Sequence, residues 1–329
     1  MKLLPWLGPA WQGLVSRRED SPHALLVHGP VGIGKLEFAR ALAQAVLCES
    51  GSGPYPCGAC EACRWFSASQ HPDFRQVEPE ALAPQVEPAE DAVRPSKTAK
   101  PSQEIKVDQI RELATFLNVM SHRGKRRIAL IRPAETMNQN AANALLKALE
   151  EPSTGACFIL VTNSYERLLP TIRSRCVKVP LALPSPEVAR AWLIGQGVED
   201  AALWLSFAGG APLLAQELSQ SARGERIQQL VGLLAAGDFE ALASWPATDR
   251  DDLELVSEVV QKWAYDQAAR ASGGMPLYFN GIALNPGPRS APAWLAFARR
   301  AGAFRRSSRH PLNPKLFMAD LASAVPRGG

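Results

Sequence analysis

The apolar run Ala24-Leu25-Leu26-Val27 leads into Gly29-Pro30-Val31-Gly32-Ile33-Gly34-Lys35, and a helical pattern follows over 34–47. A buried strand that breaks at glycines and opens a helix reads as a P-loop. Its backbone N–H groups and the helix N-terminus cradle phosphates, and its lysine reaches the β/γ oxygens. Such a strand needs neighbours that bury it on both faces, which commits this part of the chain to an α/β architecture. Gly29, Gly32, Gly34 and Lys35 are the candidate nucleotide-binding residues.

The rest of residues 1–182 carries the same alternation. Strand signals stand at 74–77, 128–131, 158–161 and 176–179, with helical patterns at 107–120 and 138–150. Strands alternating with helices predict a parallel sheet with helices on both faces. From Ser185 the strand signals stop. Ser185-Pro186-Glu187 is an N-cap followed by proline at the first helical position, and Gly195 and Gly197 mark that helix's end. A second helix ends at Gly209-Gly210 and a third covers 213–218, so 183–222 is expected to form a small three-helix lid. Residues 223–329 read as an all-α domain interrupted at Gly237, Pro246 and between Gly273 and Pro292. Between 79 and 103, Pro79, Pro84, Pro88, Pro95 and Pro101 lie among Ala, Glu and Lys, and this insertion is expected to be disordered.

Two parts needed for hydrolysis are missing. The residue after Lys35 should be Ser or Thr, whose hydroxyl holds magnesium; it is Leu36. Acidic residues should follow the strand at 128–131, one for the metal and one for the attacking water; Arg132-Pro133 stand there, with Glu135 out of register. Losses in two independent elements imply that hydrolysis has been abandoned and that no magnesium site remains, while ATP binding at Lys35 stays open.

Cys48, Cys57, Cys60 and Cys63 form C-x8-C-x2-C-x2-C, a pattern that can close a tetrahedral thiolate site. Disulfides are not expected without a secretion signal. An iron–sulfur cluster is the rival, but the x3-C-P that continues the ferredoxin run is absent after Cys63. Structural Zn2+ is the expected occupant.

Hydrophobic residues make up 46% and charged residues 21% of 329, the balance of a folded globular chain. No apolar run is long enough to span a bilayer, and Pro5, Gly8 and Pro9 break the N-terminal segment, so a cytoplasmic protein is expected. The net charge of +4 is too mild to imply nucleic-acid binding by itself. Basic residues do cluster at 123–127 and across 289–315, where they face either phosphates or solvent.

Asn143-Ala144-Leu145-Leu146-Lys147-Ala148-Leu149-Glu150-Glu151-Pro152, followed by Thr171-Ile172-Arg173-Ser174-Arg175-Cys176, resembles the clamp-loader branch of AAA+ proteins. The cysteine insert, Pro5-Trp6-Leu7, His71-Pro72-Asp73-Phe74 and His310-Pro311-Leu312-Asn313-Pro314 narrow the resemblance to the delta-prime family of DNA polymerase III subunits. That resemblance implies an AAA+ module, a lid and a helical collar that joins a five-membered ring with motor (gamma/tau) and delta subunits. The ring loads the sliding clamp on primed DNA for the DNA-directed DNA polymerase holoenzyme. Arg175 then matches an arginine finger acting on a neighbour's ATP, Thr162 and Asn163 match the sensor-1 region, and Leu213 stands where the lid would carry its sensor-2 arginine. The chain itself is expected to have no ATPase activity alone. Two other readings compete: an ATP-hydrolysing motor subunit, which Gly29–Lys35 favours, and a zinc-containing nucleic-acid-binding protein.

Overall fold

The protein is described here by a computed structural model covering residues 3–15, 22–50, 53–83, 101–121, 126–280, 282, 290–308, 310 and 312–326. The chain divides into two compact units, Met1–Leu183 and Pro184–Gly329.

In the first unit five strands, β1 (Ala24–His28), β2 (Phe74–Val77), β3 (Arg127–Ile131), β4 (Ala156–Thr162) and β5 (Val177–Pro180), form one sheet in the order β2-β3-β4-β1-β5. Every pairing is parallel. Ala24, Leu26, Ala129, Ile131, Phe158 and Leu160 share one face and pack with α4 (Val107–Asn118), α5 (Gln139–Glu150) and α6 (Pro170–Arg175). The alternate side chains, Leu25, Val27, Ile128, Leu130 and Ile159, are also buried, and α2 (Lys35–Leu47) lies against β1, β3 and β4. Burial on both faces is why these strands read as continuous apolar runs rather than as an alternation. The expected parallel α/β sheet is thus present, with β4 at its centre and β1 between β4 and the edge strand β5.

Local chemistry sets the ends of its elements. The Asn138 side chain accepts the Ala141 N–H at 2.9 Å and starts α5. Asp73 and Arg127, whose side chains are 3.3 Å apart, tie the loop before β2 to the start of β3, and the Arg127 guanidinium lies 4.7 Å from the Phe116 ring. The last residue of the basic stretch 123–127 is therefore part of the fold, while 123–125 lie outside the described residues. Residues 84–100 of the insertion expected to be disordered also lie outside them. Its ends do not behave as expected: the Ala81 N–H donates to the Ser102 carbonyl at 3.0 Å, and the Ser102 N–H to the Glu80 carboxylate at 3.1 Å. These cross-links satisfy backbone groups that a disordered segment would leave to water.

Among its described residues the second unit is all-helical: α7 (Pro186–Gly195), α8 (Ala201–Phe207), α9 (Pro212–Ser219), α10 (Ala222–Ala236), α11 (Phe239–Ala243), α12 (Arg250–Ala271), α13 (Ala291–Ser307) and α14 (Pro314–Ser323). Ser185, Ser221 and Asn313 accept backbone N–H groups at the starts of α7, α10 and α14. One apolar core runs from Ala189 to Val325, with the Trp263 and Trp294 rings edge to face at 4.9 Å. The segments expected to be lid and collar share this core. Within the basic span 289–315, Arg300 and Arg305 already pair with Asp320 and Glu254, at 3.1 and 3.5 Å. No helix among the described residues is long and apolar enough to cross a membrane.

The loop after α12 is held by one buried carboxylate. Asp266 is fully buried and accepts the N–H groups of Leu277 at 2.7 Å, Tyr278 at 3.1 Å and Phe279 at 2.7 Å. Asp266→Asn keeps the shape but turns an amide NH2 toward backbone donors. It should cost about 3 kcal/mol, the scale of losing charge-assisted bonds in a buried site. Urea unfolding should show a lower midpoint with an unchanged slope.

Candidate functional site

The carboxyl end of β1 starts the site. The His28 carbonyl accepts the Leu181 N–H at 2.8 Å, which brings the chain after β5 under the P-loop. Gly29 follows with φ 153, and a Cβ there would stand 2.3 Å from the Leu181 carbonyl oxygen. Only glycine lets the loop pass so close. Gly32 and Gly34 take left-handed φ values of 76 and 89, which a side chain would strain. The Trp6 indole donates to the Ile33 carbonyl at 2.9 Å and ties the N-terminal turn Pro5–Leu7 to the loop.

Lys35 opens α2, and only 5% of its surface is exposed. Its ammonium donates to the carbonyls of Gly29, at 2.9 Å, and Pro30. Burial pulls its pKa down to about 8, and the carboxylates of Glu135 and Glu37 limit the fall. Leu36 beside it offers no hydroxyl.

Arg132 does structural work where the acidic pair would stand. Its guanidinium pairs with Glu78, and its N–H donates to the Val77 carbonyl at 2.9 Å, joining the ends of β3 and β2. Glu135, out of register by spacing, nevertheless reaches the site's edge. Its Oε1 accepts the Asn163 N–H at 3.0 Å, and its charge is felt by Lys35. Sequence spacing missed this because Glu135 lies in a 3-10 turn, Ala134–Thr136, and not in an extended continuation of β3. Thr162 is fully buried, pairs in register with His28, and accepts the Ser164 N–H on its hydroxyl at 3.1 Å. The sensor-1 candidates thus lie beside the end of the P-loop strand, Thr162 turned inward and Asn163 exposed. Leu213 lies in the first turn of α9 in the second unit.

Arg175 is the last residue of α6, and 36% of its side chain is exposed. Its guanidinium is 2.6 Å from a Glu150 carboxylate oxygen and donates to the Thr171 carbonyl at 3.0 Å. Arg173 on the same turn is committed elsewhere: it pairs with Glu166 at 2.8 Å and stacks 4.8 Å from the Tyr165 ring centre.

The four cysteines converge. Cys48 follows the end of α2, Cys57 and Cys60 sit on the following loop, and Cys63 lies in α3 (Glu61–Ser67). All four sulfurs lie within 4.8 Å of one another, with Cys48–Cys60 at 3.9 Å and Cys57–Cys63 at 4.0 Å. Those separations are too long for disulfides. They fit a tetrahedron of sulfurs about 2.3 Å from one ion, whose edges are about 3.8 Å. Backbone N–H groups of Cys57, Cys60 and Cys63 donate to the sulfurs of Cys48, Cys57 and Cys60 at 3.3–3.4 Å. The N–H groups of Cys60 and Ala59 pull the exposed Cys57 thiol down to about 6, whereas burial pushes Cys63 up to about 12. A buried thiolate needs a cation, and a cluster of four can hold a metal ion. Trp11 braces the loop by donating to the Pro54 carbonyl at 2.8 Å and stacking on Tyr55 at 5.6 Å. Nothing local in the sequence marks Trp11 for that role.

A family model described as "DNA polymerase III, delta subunit" matches residues 13–185. DNA polymerase III subunit delta' of Pseudomonas aeruginosa is 38% identical over 236 residues, which are 70% of this chain and 66% of that one. The subunit of the same name from Escherichia coli is 33% identical over 251 residues, 74% of this chain and 70% of that one. Among solved structures, a DNA polymerase III gamma subunit-related protein from Thermotoga maritima is 18% identical, with a TM-score of 0.46 over 95% of this chain and 97% of that one.

The buried lysine makes stability depend on pH in a defined direction. Between its folded pKa of about 8 and the unfolded value near 10.4, the unfolded chain holds a proton that the folded chain has released. The Lys35 contribution to stability therefore rises with pH across that window. Chemical unfolding of the wild type and Lys35→Met should show their stability difference moving toward the wild type by up to about 3 kcal/mol from pH 8 to 10.5. A flat difference would mean that Lys35 titrates normally.

Proposed function

The chain belongs to the delta-prime family of DNA polymerase III subunits, and from that membership we propose that it is a non-hydrolysing, stator-like subunit of the replicative clamp loader. In this reading it works in the cytoplasm. It assembles with motor (gamma/tau) and delta subunits into a five-membered ring that places the sliding clamp on primed DNA.

One observation carries the reading: parts that would hydrolyse ATP in cis are gone, while a part that works in trans is available. Leu36 cannot ligate magnesium, Arg132 is tied to Glu78, and Lys35 is turned to its own loop. Arg175, by contrast, ends α6 with its guanidinium partly exposed. A guanidinium offered to a neighbour's γ-phosphoryl group stabilises the charge that develops there in the transition state. Thr162 and Asn163 keep the sensor-1 position as structure rather than as chemistry. Any ATP held by Gly29, Gly32, Gly34 and Lys35 would be bound without turnover.

The cysteine cluster holds structural Zn2+ in this reading. Four sulfurs and no open position leave nothing for a substrate to occupy. Elemental analysis of the reduced protein should find one zinc per chain, lost in Cys57→Ser/Cys60→Ser. Chelation should raise hydrogen exchange over 48–67 while the parallel sheet stays protected, because the metal contributes folding energy locally. Stoichiometric iron, or no metal, would overturn the assignment.

For the finger, the isolated chain should turn over ATP at background level. In the assembled loader, Arg175→Ala and Arg175→Lys should leave the ring intact. Both should depress clamp- and DNA-stimulated hydrolysis at the neighbouring site by on the order of 10³ or more, the range for arginine fingers. Whole-ring activity would fall less, since other sites continue. A normal ring with wild-type ATPase in Arg175→Ala would leave the arginine as solvated surface.

A further inference from the structure

Resting on the reading of Arg175 as a finger, we infer that Glu150 is a positioning residue that presets the Arg175 guanidinium for a neighbour's phosphate. Glu150 is the last residue of α5, where the helix dipole disfavours a carboxylate. There it lies 2.6 Å from one terminal nitrogen of Arg175, while the other terminal nitrogen donates to the Thr171 carbonyl at 3.0 Å. The two anchors come from different helices and together fix the plane of the guanidinium.

A guanidinium has five N–H donors, and these anchors use two. The nitrogen facing Thr171 also lies 3.5 Å from the Ser174 hydroxyl, so the N–H on Nε and one on the nitrogen facing Glu150 remain for phosphate oxygens. The Glu150 side chain is half exposed, so water screens its charge and leaves the arginine electropositive. An arginine without anchors would lose its rotamer freedom each time it met the neighbouring site; a preset one has lost it already on folding. Arg173, two residues earlier, shows the contrast. Its guanidinium lies against the Tyr165 ring and Glu166, with its side chain only 20% exposed.

The test uses the assembled loader with clamp and primed DNA. Glu150→Gln should assemble normally and unfold at the wild-type midpoint. It should lower kcat for stimulated ATP hydrolysis about twofold to fivefold, the rate equivalent of an exposed ion pair, and leave KM for ATP unchanged. Glu150→Asp should recover part of the rate, and adding Glu150→Gln to Arg175→Ala should slow the loader no further. A kcat at the wild-type level would overturn the inference, and a raised kcat would mean that the carboxylate holds the arginine back. A change confined to KM or ring assembly would also overturn it, by showing a structural role. If Arg175→Ala is impaired while Glu150→Gln is normal, only the positioning role fails; if Arg175→Ala is normal, the finger reading itself fails.

Discussion

The pairing of β1 between β4 and β5 is the constraint on which the candidate site depends. In a parallel sheet the strands all finish at one edge, so residues far apart in sequence arrive together at their carboxyl ends. His28 pairs with Thr162 on one side and with Pro180 on the other. Those contacts put the P-loop beside the sensor-1 candidates and bring the Leu181 carbonyl under Gly29. A side chain at residue 29 would push the loop off this edge, and every later feature of the site would move with it.

The charges at that edge have been rearranged around the chain's own groups. In a hydrolysing P-loop, a magnesium ion compensates the carboxylates that follow β3, and the lysine faces phosphate. Here Lys35 faces two loop carbonyls and feels Glu135, which is itself held by the Asn163 N–H. Arg132 replaces an acid and joins the ends of β3 and β2 through Glu78. Arg132, standing where an acid is expected, thus adds contacts to the fold.

Local signals in the sequence were legible because they follow short periods. The apolar runs at 24–27, 128–131 and 158–161 are strands buried on both faces, and Ser185-Pro186 begins α7 as its capping chemistry predicts. The cysteine spacing likewise announced a cluster, since C-x2-C-x2-C places three sulfurs within a turn or two. What could not be read were contacts across long separations. The Asp266 carboxylate reaches N–H groups 11 to 13 residues away, Trp11 braces a carbonyl 43 residues away, and Glu150 meets Arg175 across two helices. None of these pairs has a periodic signature, because a fold, not a local propensity, makes them neighbours. Glu135 shows the same limit at short range, where a single turn was enough to defeat a register argument.

The layout also separates Arg175 from the P-loop. The contacts of Arg175 are to Thr171, Ser174 and Glu150, all on α5 and α6, and none is to the P-loop. Its geometry therefore depends on the seam between those helices and on the crossover from β4 to β5. The cysteine cluster is placed with similar independence, at the opposite end of α2 from Lys35. A helix of 13 residues spans about 20 Å, so a metal there would fix the far end of α2 without entering the phosphate cradle. The phosphate cradle, the Arg175 seam and the cysteine cluster are three separate parts of one sheet-and-helix unit, so a change at one leaves the contacts of the other two in place.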